Sequence, residues 1–164
     1  MSERSAPWPW LLLALVVAVL DQLSKWWILQ HFHPGEVLPV LPFFNLVLTF
    51  NEGAAFSFLS DAGGWQRWFF IGLTLAVSAA LVVWMSRLRS DEKWLAVALA
   101  LVLGGALGNL VDRVRHGRVT DFLDFHWQGW HWPAFNLADS AITLGVVLLL
   151  LLSWRDDGKD AKKG

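Results

Sequence analysis

Four apolar segments, each about as long as a membrane-spanning helix, divide this chain at residues 10–29, 68–85, 94–111 and 137–154. A helix needs about 20 mostly apolar residues to cross the hydrocarbon core of a bilayer. The middle two segments contain no charged residue, and 55% of the whole chain is hydrophobic. The pattern predicts a single integral membrane domain over residues 1–164 with four transmembrane helices.

The first segment has an alternative interpretation as a cleavable secretory signal peptide, since a short start with Glu3 and Arg4 precedes its apolar core. No small-residue cleavage motif follows the core, and the stretch DQLSK at residues 21–25 continues the helical pattern. We therefore predict that this segment is a retained transmembrane helix.

Basic residues and tryptophans indicate how the four spans are oriented. Four spans put both termini on one side, where eight Lys and Arg residues flank the spans, against five on the other side. Basic residues accumulate on the cytoplasmic side of a membrane, so the count predicts cytoplasmic termini. The 12 tryptophans fall near segment ends, where indole rings prefer the headgroup region.

Two segments, at about residues 30–67 and 112–136, are predicted to lie outside the membrane on the side away from the termini. Every second residue from Phe44 to Phe50 is apolar, which is the period of a strand, and the following NEG (51–53) is typical of a turn. A small sheet resting on the membrane surface is therefore expected.

Three aspartates lie near span ends, where a carboxylate close to hydrocarbon costs about 2.5 to 3.5 kcal/mol and usually has a function. Each also has a structural explanation. Asp139, in the first turn of a predicted helix, could cap backbone N–H groups. Asp21 and Lys25, four residues apart, could neutralise each other. Asp112 shares a helical face with Asn109 and with Arg113, and the Asp–Arg pair could only tie the third span to the next loop.

A second interpretation joins Asp139 to Asp121, which lies in the segment between the third and fourth spans and can fold back beside it. Two carboxylates a few ångströms apart cannot both ionise cheaply, so one pKa rises and the pair holds one proton. Such a pair can activate a water, deliver it to a peptide carbonyl and protonate the leaving nitrogen. Spacing alone leaves the pairing open, because Asp124 follows three residues after Asp121.

Five short stretches occur in a fixed order across nearly the whole chain: DQLSK (21–25), NEGAAFS (51–57), GGALGNLVDR (104–113), VTDF (119–122) and FNLAD (135–139). In sequence and order they resemble the motifs of bacterial lipoprotein signal peptidases (signal peptidase II), aspartic proteases of the inner membrane. The resemblance implies an all-α membrane fold with four transmembrane helices and a small periplasmic β-cradle. It also implies Asp121 and Asp139 as the catalytic dyad, with Asp121 preferred to Asp124.

The resemblance further implies which residues shape the site or hold substrate: Asp21, Lys25, Asn51, Gly53, Phe56, Asn109, Asp112, Arg113 and Asn136. The implied substrate is a prolipoprotein that already carries diacylglycerol on its lipobox cysteine and is cut just before that cysteine. The implied location is the bacterial inner membrane, with the active site at the periplasmic face. Asn109, Asn136 and Arg113 could bond peptide carbonyls or a developing oxyanion. Glycines 104, 105 and 108 could let a helix of the chain, or a substrate helix, approach closely.

We expect no cofactor, because the chain has no cysteine and the pair His31 and His33 lacks a third ligand at suitable spacing. The expected partners are the prolipoprotein substrate and membrane lipids. No obligatory protein partner is expected, and a net charge of -1 gives no indication of nucleic-acid binding.

Two alternative functions stay open at this point. A small proton-coupled transporter could use the charged residues as a relay, although they gather at the outer span ends and leave the middle of the bilayer without polar groups. A noncatalytic membrane protein that binds lipopeptides would share the cradle but would not need two carboxylates.

Overall fold

Four long helices dominate the computed structural model, which describes residues 6–53 and 65–160, with side chains described as far as Arg155. The helices are α1 (Trp8–His31), α2 (Trp65–Met85), α3 (Lys93–His116) and α4 (Leu137–Asp160). All four are long and apolar enough to span a membrane, which confirms the predicted helical membrane fold. Helix α3 continues past the predicted end of the third span, so Asp112 and Arg113 lie on the helix itself.

A small antiparallel sheet accompanies the helices, in the order β1 (Val37–Leu41), β2 (Phe44–Asn51), β3 (Val119–Trp127) and β4 (Trp130–His131). The predicted strand and sheet are therefore confirmed. Strand β2 places Thr49 opposite Asp121 on β3. The sheet thus joins the two outer segments and brings the VTDF and NEG stretches side by side.

Helix α3 lies at the centre and packs against α1, α2 and α4. Small residues on α3 make this possible. A Cβ added at Gly104 would lie 2.6 Å from the carbonyl oxygen of Ala14 in α1, and one at Gly105 would overlap the Ala138 carbonyl of α4. At these two positions the close neighbour is therefore another helix of the same chain.

The sheet is held to the helices at one end of the bundle. Ile28 and Phe32, at the end of α1, form a buried apolar cluster with Leu48 of β2 and Phe122 of β3. Burying such side chains contributes about 1.5 to 3 kcal/mol each. The cluster fixes β3, and with it Asp121, beside the ends of α1 and α3.

Candidate active site

Helix α4 begins directly after Asn136 with a reciprocal pair of hydrogen bonds. The Asp139 N–H donates to Oδ1 of Asn136 at 2.9 Å, and the Asn136 N–H donates to Oδ2 of Asp139 at 3.3 Å. This arrangement is a capping box, which satisfies backbone donors at a helix start. Asp139 therefore has the capping role considered from its sequence position, and the cap holds its carboxylate at the start of α4.

Asn136 also joins Asp139 to Asp121. Its Nδ2 donates to Oδ1 of Asp121 at 2.7 Å, while its Oδ1 accepts the Asp139 N–H. Asn136 is fully buried, and Asp121 is 3% exposed. Asn136 can bond both aspartates because Phe135, next to it, exchanges backbone hydrogen bonds with Leu123 of β3 at 2.8 and 3.1 Å.

The surroundings of Asp121 change its acidity. Burial raises the pKa of Asp121 to about 7, with a further contribution from the negative charge of Asp139. Hydrogen bonds from Asn136 and Asn51 and the charge of Lys25 act in the opposite direction but do not cancel this rise. A carboxyl group with such a pKa can both give and take a proton near neutral pH.

A buried cluster around Lys25 supports the pair from α1. The Lys25 ammonium contacts Oδ2 of Asp21 at 2.8 Å, Oδ2 of Asp112 at 3.1 Å and Oδ1 of Asn109 at 2.9 Å. An ammonium has three donors, and each has an acceptor here. Asp21 and Lys25 do pair as predicted, and Asp112 is a second carboxylate partner that the helical spacing did not indicate.

Asp112 does not pair with Arg113, which was one explanation considered for its position. Besides Lys25, its carboxylate accepts hydrogen bonds from Nε2 of Gln22 at 2.8 Å and from the Thr120 N–H at 2.9 Å. No ion pair joins it to Arg113 in the part of the chain that the structure describes. Asp112 therefore connects α1 and α3 to the start of β3, one residue before Asp121.

Asn109 connects the Lys25 cluster to Asp139. Its Oδ1 accepts from Lys25, and its Nδ2 donates to Oδ1 of Asp139 at 2.7 Å. The same Oδ1 also accepts from Nδ2 of Asn136 at 3.2 Å. The Asn109 amide thus lies between the Lys25 ammonium and the Asp139 carboxylate. Its oxygen points to the positive charge and its N–H to the negative charge.

Asn51 and Gly53, at the end of β2, lie on the other side of Asp121. The Asn51 side chain hydrogen-bonds Asp121, and its Oδ1 accepts the Gly53 N–H at 2.8 Å. Gly53 has φ +97°, and a Cβ there would lie 2.7 Å or less from atoms of the Phe70 ring. Both the backbone conformation and the space therefore require glycine.

Arg113 is half-buried, with its guanidinium 5.0 Å from the centre of the Phe70 ring. The charges of Asp139 and Asp121 attract it over a longer distance, without a direct ion pair among the residues described. Phe56, the remaining predicted site residue, lies outside the described residues.

Asp124, the alternative to Asp121, is bound elsewhere. It accepts from Nδ2 of Asn45 at 2.7 Å and lies 2.9 Å from Nδ1 of His131. Burial raises the pKa of Asp124, but the hydrogen bonds with His131 and Asn45 outweigh it and keep this pKa below its usual range. Its side chain is therefore part of a sheet contact among β2, β3 and β4.

Two groups in this network were not among the predicted site residues, namely the Gln22 side chain and the Thr120 backbone N–H. Gln22 lies inside the DQLSK stretch, so a motif signal was present, and it also donates to the Gly108 carbonyl at 3.0 Å. A backbone donor such as that of Thr120 leaves no signal in a sequence. Across the described ranges, no three His, Cys, Asp or Glu side chains are grouped so that they could hold a metal ion.

Comparison with known proteins gives consistent matches along the chain. A family model described as Signal peptidase (SPase) II matches residues 13–155. The lipoprotein signal peptidase of Ralstonia nicotianae is 57% identical over 143 residues, covering 87% of this chain and 82% of that protein. The lipoprotein signal peptidase of Pseudomonas aeruginosa is 54% identical over 155 residues, covering 93% and 92%.

A solved structure described as a bacterial membrane enzyme has the same fold. It superposes with a TM-score of 0.82 at 33% identity, over 97% of this chain and 95% of that one. These matches confirm the resemblance inferred from the five motifs and the prediction that the chain is a peptidase. The chain belongs to the signal peptidase II family of membrane peptidases.

Proposed function

We propose that this chain removes the signal peptide from diacylglyceryl-modified prolipoproteins, cutting just before the lipidated cysteine by a water activated between Asp121 and Asp139. The two relatives described above, which are more than half identical over the aligned residues, are named lipoprotein signal peptidases. The observation that carries the assignment of the two aspartates is that Asn136 bonds both of them, and that the pKa of Asp121 is about 7.

The two carboxyl groups take complementary roles in the proposed reaction. Asp139 accepts hydrogen bonds from two N–H donors, which suits the member of the pair without the proton. Asp139 removes a proton from the water while Asp121 gives its proton to the carbonyl oxygen of the scissile bond. The resulting tetrahedral intermediate breaks down when the amide nitrogen takes the proton from Asp139 and one hydroxyl of the intermediate returns a proton to Asp121, so that the amine leaves, the new carboxyl group forms and the pair is restored.

The residues around the pair act by positioning. Lys25 holds Asn109, and Asn109 in turn holds Asp139, so the ammonium acts on the carboxylate through one amide. Arg113 is attracted to both aspartates without a direct ion pair among the residues described, and in the proposed reaction its guanidinium binds a substrate carbonyl or a developing oxyanion. Asn51 orients Asp121 from the side of β2.

The location of the site suits a lipid-anchored substrate. Asp139 lies in the first turn of α4, and Asp112 in the last turns of α3, so the site lies where spans end. A diacylglyceryl group keeps a modified cysteine near the headgroup level of the membrane. With cytoplasmic termini, as the distribution of basic residues favours, these span ends face the periplasm across the inner membrane.

The proposal is tested by cleavage of a purified diacylglyceryl-modified prolipoprotein in detergent, followed by mass spectrometry of both products. We expect Asp121→Asn and Asp139→Asn each to lower the cleavage rate by about 10³-fold or more, because each removes one half of the acid–base pair. In ¹⁸O water, one heavy oxygen should enter the carboxyl terminus of the released signal peptide.

Asp124→Asn is the matched control, since Asp124 is an aspartate of the same strand that bonds Asn45 and His131 instead. It should cleave at nearly the wild-type rate. Full activity in either Asp121→Asn or Asp139→Asn would rule out the dyad. Proton flux in liposomes without any cleavage would favour the transporter alternative.

A further inference from the structure

A cavity of about 690 Å³ lies between the outer ends of the helices and the sheet. Leu29 near the end of α1, Trp68 near the start of α2 and His116 at the end of α3 contribute to its wall. Helices α1 and α2 both pack on α3, but in the described part of the chain they touch each other slightly at most. The cavity therefore lies where the ends of α1, α2 and α3 meet the sheet.

This cavity is separate from the aspartate pair. Thr120 and Phe50, which are opposite each other in the β2–β3 ladder, form part of its wall. Successive residues of a strand point to opposite faces, so Thr120 and Asp121 face different sides of β3. Phe50 and Leu29 pack on the apolar cluster beneath the sheet, behind the catalytic face.

Two arginines dominate the charge of the cavity. Arg67 and Arg118 line it together with the imidazole of His116, and Glu52 is the one carboxylate among its described lining residues. Neither arginine has a carboxylate within ion-pair distance among the residues described. Arg118 lies 3.6 Å above the Phe50 ring, and one Arg67 nitrogen donates to the Val114 carbonyl at 2.7 Å.

Arg67 retains an unused donor. Its Nε–H is buried and has no hydrogen-bond partner within the described structure. Buried donors are nearly always paired, and an arginine fork matches a phosphate group in shape and charge. Two such arginines at the end of three spans, with apolar and aromatic walls beside them, form a chemically suitable site for a phosphate at headgroup depth.

We propose that this cavity binds the headgroup of a membrane glycerophospholipid, with its phosphate held by Arg67 and Arg118 and its acyl chains lying against the apolar part of the wall. A lipid is favoured over a free anion because Leu29, Phe50 and Trp68 supply apolar wall that a free phosphate would not use. The site is distinct from the peptidase centre and does not depend on its assignment.

The test is native mass spectrometry of the purified protein, released from a detergent that contains no phosphate, in the presence of phosphatidylglycerol. The comparison ligands are diacylglycerol with the same acyl chains and inorganic phosphate. We expect one phosphatidylglycerol to bind the wild type about tenfold more tightly than diacylglycerol does. The Arg67→Gln/Arg118→Gln double variant should lose this tenfold preference.

Two further variants separate lipid recognition from folding and from general charge. Arg118→Gln alone leaves the Arg67 bond to Val114 intact and should lose part of the preference. Arg87→Gln removes an exposed arginine at the opposite end of α2 and should bind like the wild type. The thermal midpoint of each variant shows whether it is folded.

Three results would overturn the inference. The first is equal phosphatidylglycerol binding by the folded Arg118→Gln variant and the wild type. The second is equal binding of diacylglycerol and phosphatidylglycerol, which would mean that the phosphate is not recognised. The third is displacement of phosphatidylglycerol by an equal concentration of inorganic phosphate, which would identify a free-anion site.

Discussion

At Asn136 a single side chain connects the start of a helix to the pair of carboxyl groups. Its Oδ1 caps α4, and its Nδ2 bonds Asp121. Capping and reaction geometry are therefore not competing explanations for Asp139, because the same residue provides both. Because Asn136 is fully buried, its surroundings hold both of these hydrogen bonds in place.

Substitution at Asn136 should separate its two roles. Serine can still cap a helix but is too short to reach Asp121, whereas alanine can do neither. We expect Asn136→Ser and Asn136→Ala both to lower the cleavage rate by about 10- to 100-fold, since leaving a buried acceptor such as Oδ1 of Asp121 without its donor costs about 1 to 3 kcal/mol. The alanine variant should also be less stable than the serine variant by about 1 kcal/mol. Wild-type cleavage by Asn136→Ser would show that the bond to Asp121 is dispensable.

The acidity of Asp121 predicts how stability changes with pH. Burial, followed by the charge of Asp139, raises its pKa from 3.8 to about 7. Between these two pKa values the folded protein holds a proton that the unfolded chain releases. The contribution of Asp121 to the free energy of unfolding is therefore complete below about pH 4 and is lost as the pH rises through about 7. We expect the thermal midpoint in detergent to fall between pH 5 and pH 8 in the wild type, and to fall less in Asp121→Asn, which cannot ionise. Equal slopes for the two proteins would contradict the raised pKa.

At the scale of elements, α3 is the support on which the site is assembled. It contributes Asn109 and Asp112, and it approaches α4 closely at Gly105, next to the turn that contains Ala138 and Asp139. A side chain at Gly105 would meet the Ala138 backbone, which cannot move without shifting the start of α4. The position of Asp139 is therefore coupled to the packing of two helices.

Two glycine substitutions test this coupling. Gly105→Ala should lower stability by about 1 to 3 kcal/mol, the usual cost of overpacking, and should also lower the cleavage rate. Gly72→Ala is the control, because Gly72 lies within α2 and a Cβ there meets nothing within 4 Å. That variant should be as stable as the wild type or slightly more so, since alanine favours helix by up to about 1 kcal/mol over glycine. The measurements are the thermal midpoint and the cleavage rate of each variant. If Gly105→Ala matched Gly72→Ala in both, the close α3–α4 contact would not control the position of Asp139.

At the scale of the whole molecule, the orientation in the membrane can be measured directly because the chain has no cysteine. A single cysteine can be introduced at His33, before β1, or at Ser90, between α2 and α3, and both positions are exposed. With cytoplasmic termini, a membrane-impermeant maleimide should label His33→Cys in intact spheroplasts and Ser90→Cys only after permeabilisation. The reverse labelling pattern would invert the proposed orientation.

Much of the architecture follows from local patterns along the chain. The length of the apolar segments predicts the four helices, and the alternation from Phe44 to Phe50 predicts β2. Both signals lie within one short segment of the chain, so they can be read without knowing how the segments pack. The pairing of Asp21 with Lys25 follows in the same way, since residues four apart lie on one helical face. Resemblance in five motifs added the family and the choice of Asp121.

The sequence by itself therefore determined the helical membrane fold, the strand and the family, whereas only the tertiary structure decided which polar groups bond across elements. Asp112 bonds Lys25 and Thr120 instead of its neighbour Arg113, and Asn136 reaches Asp121. Helical periodicity specifies neighbours within one element only. Partners on different elements are selected by the packing of α1, α3 and α4 against β3, because an unpaired buried charge or amide costs several kcal/mol and each must find a partner within that packing.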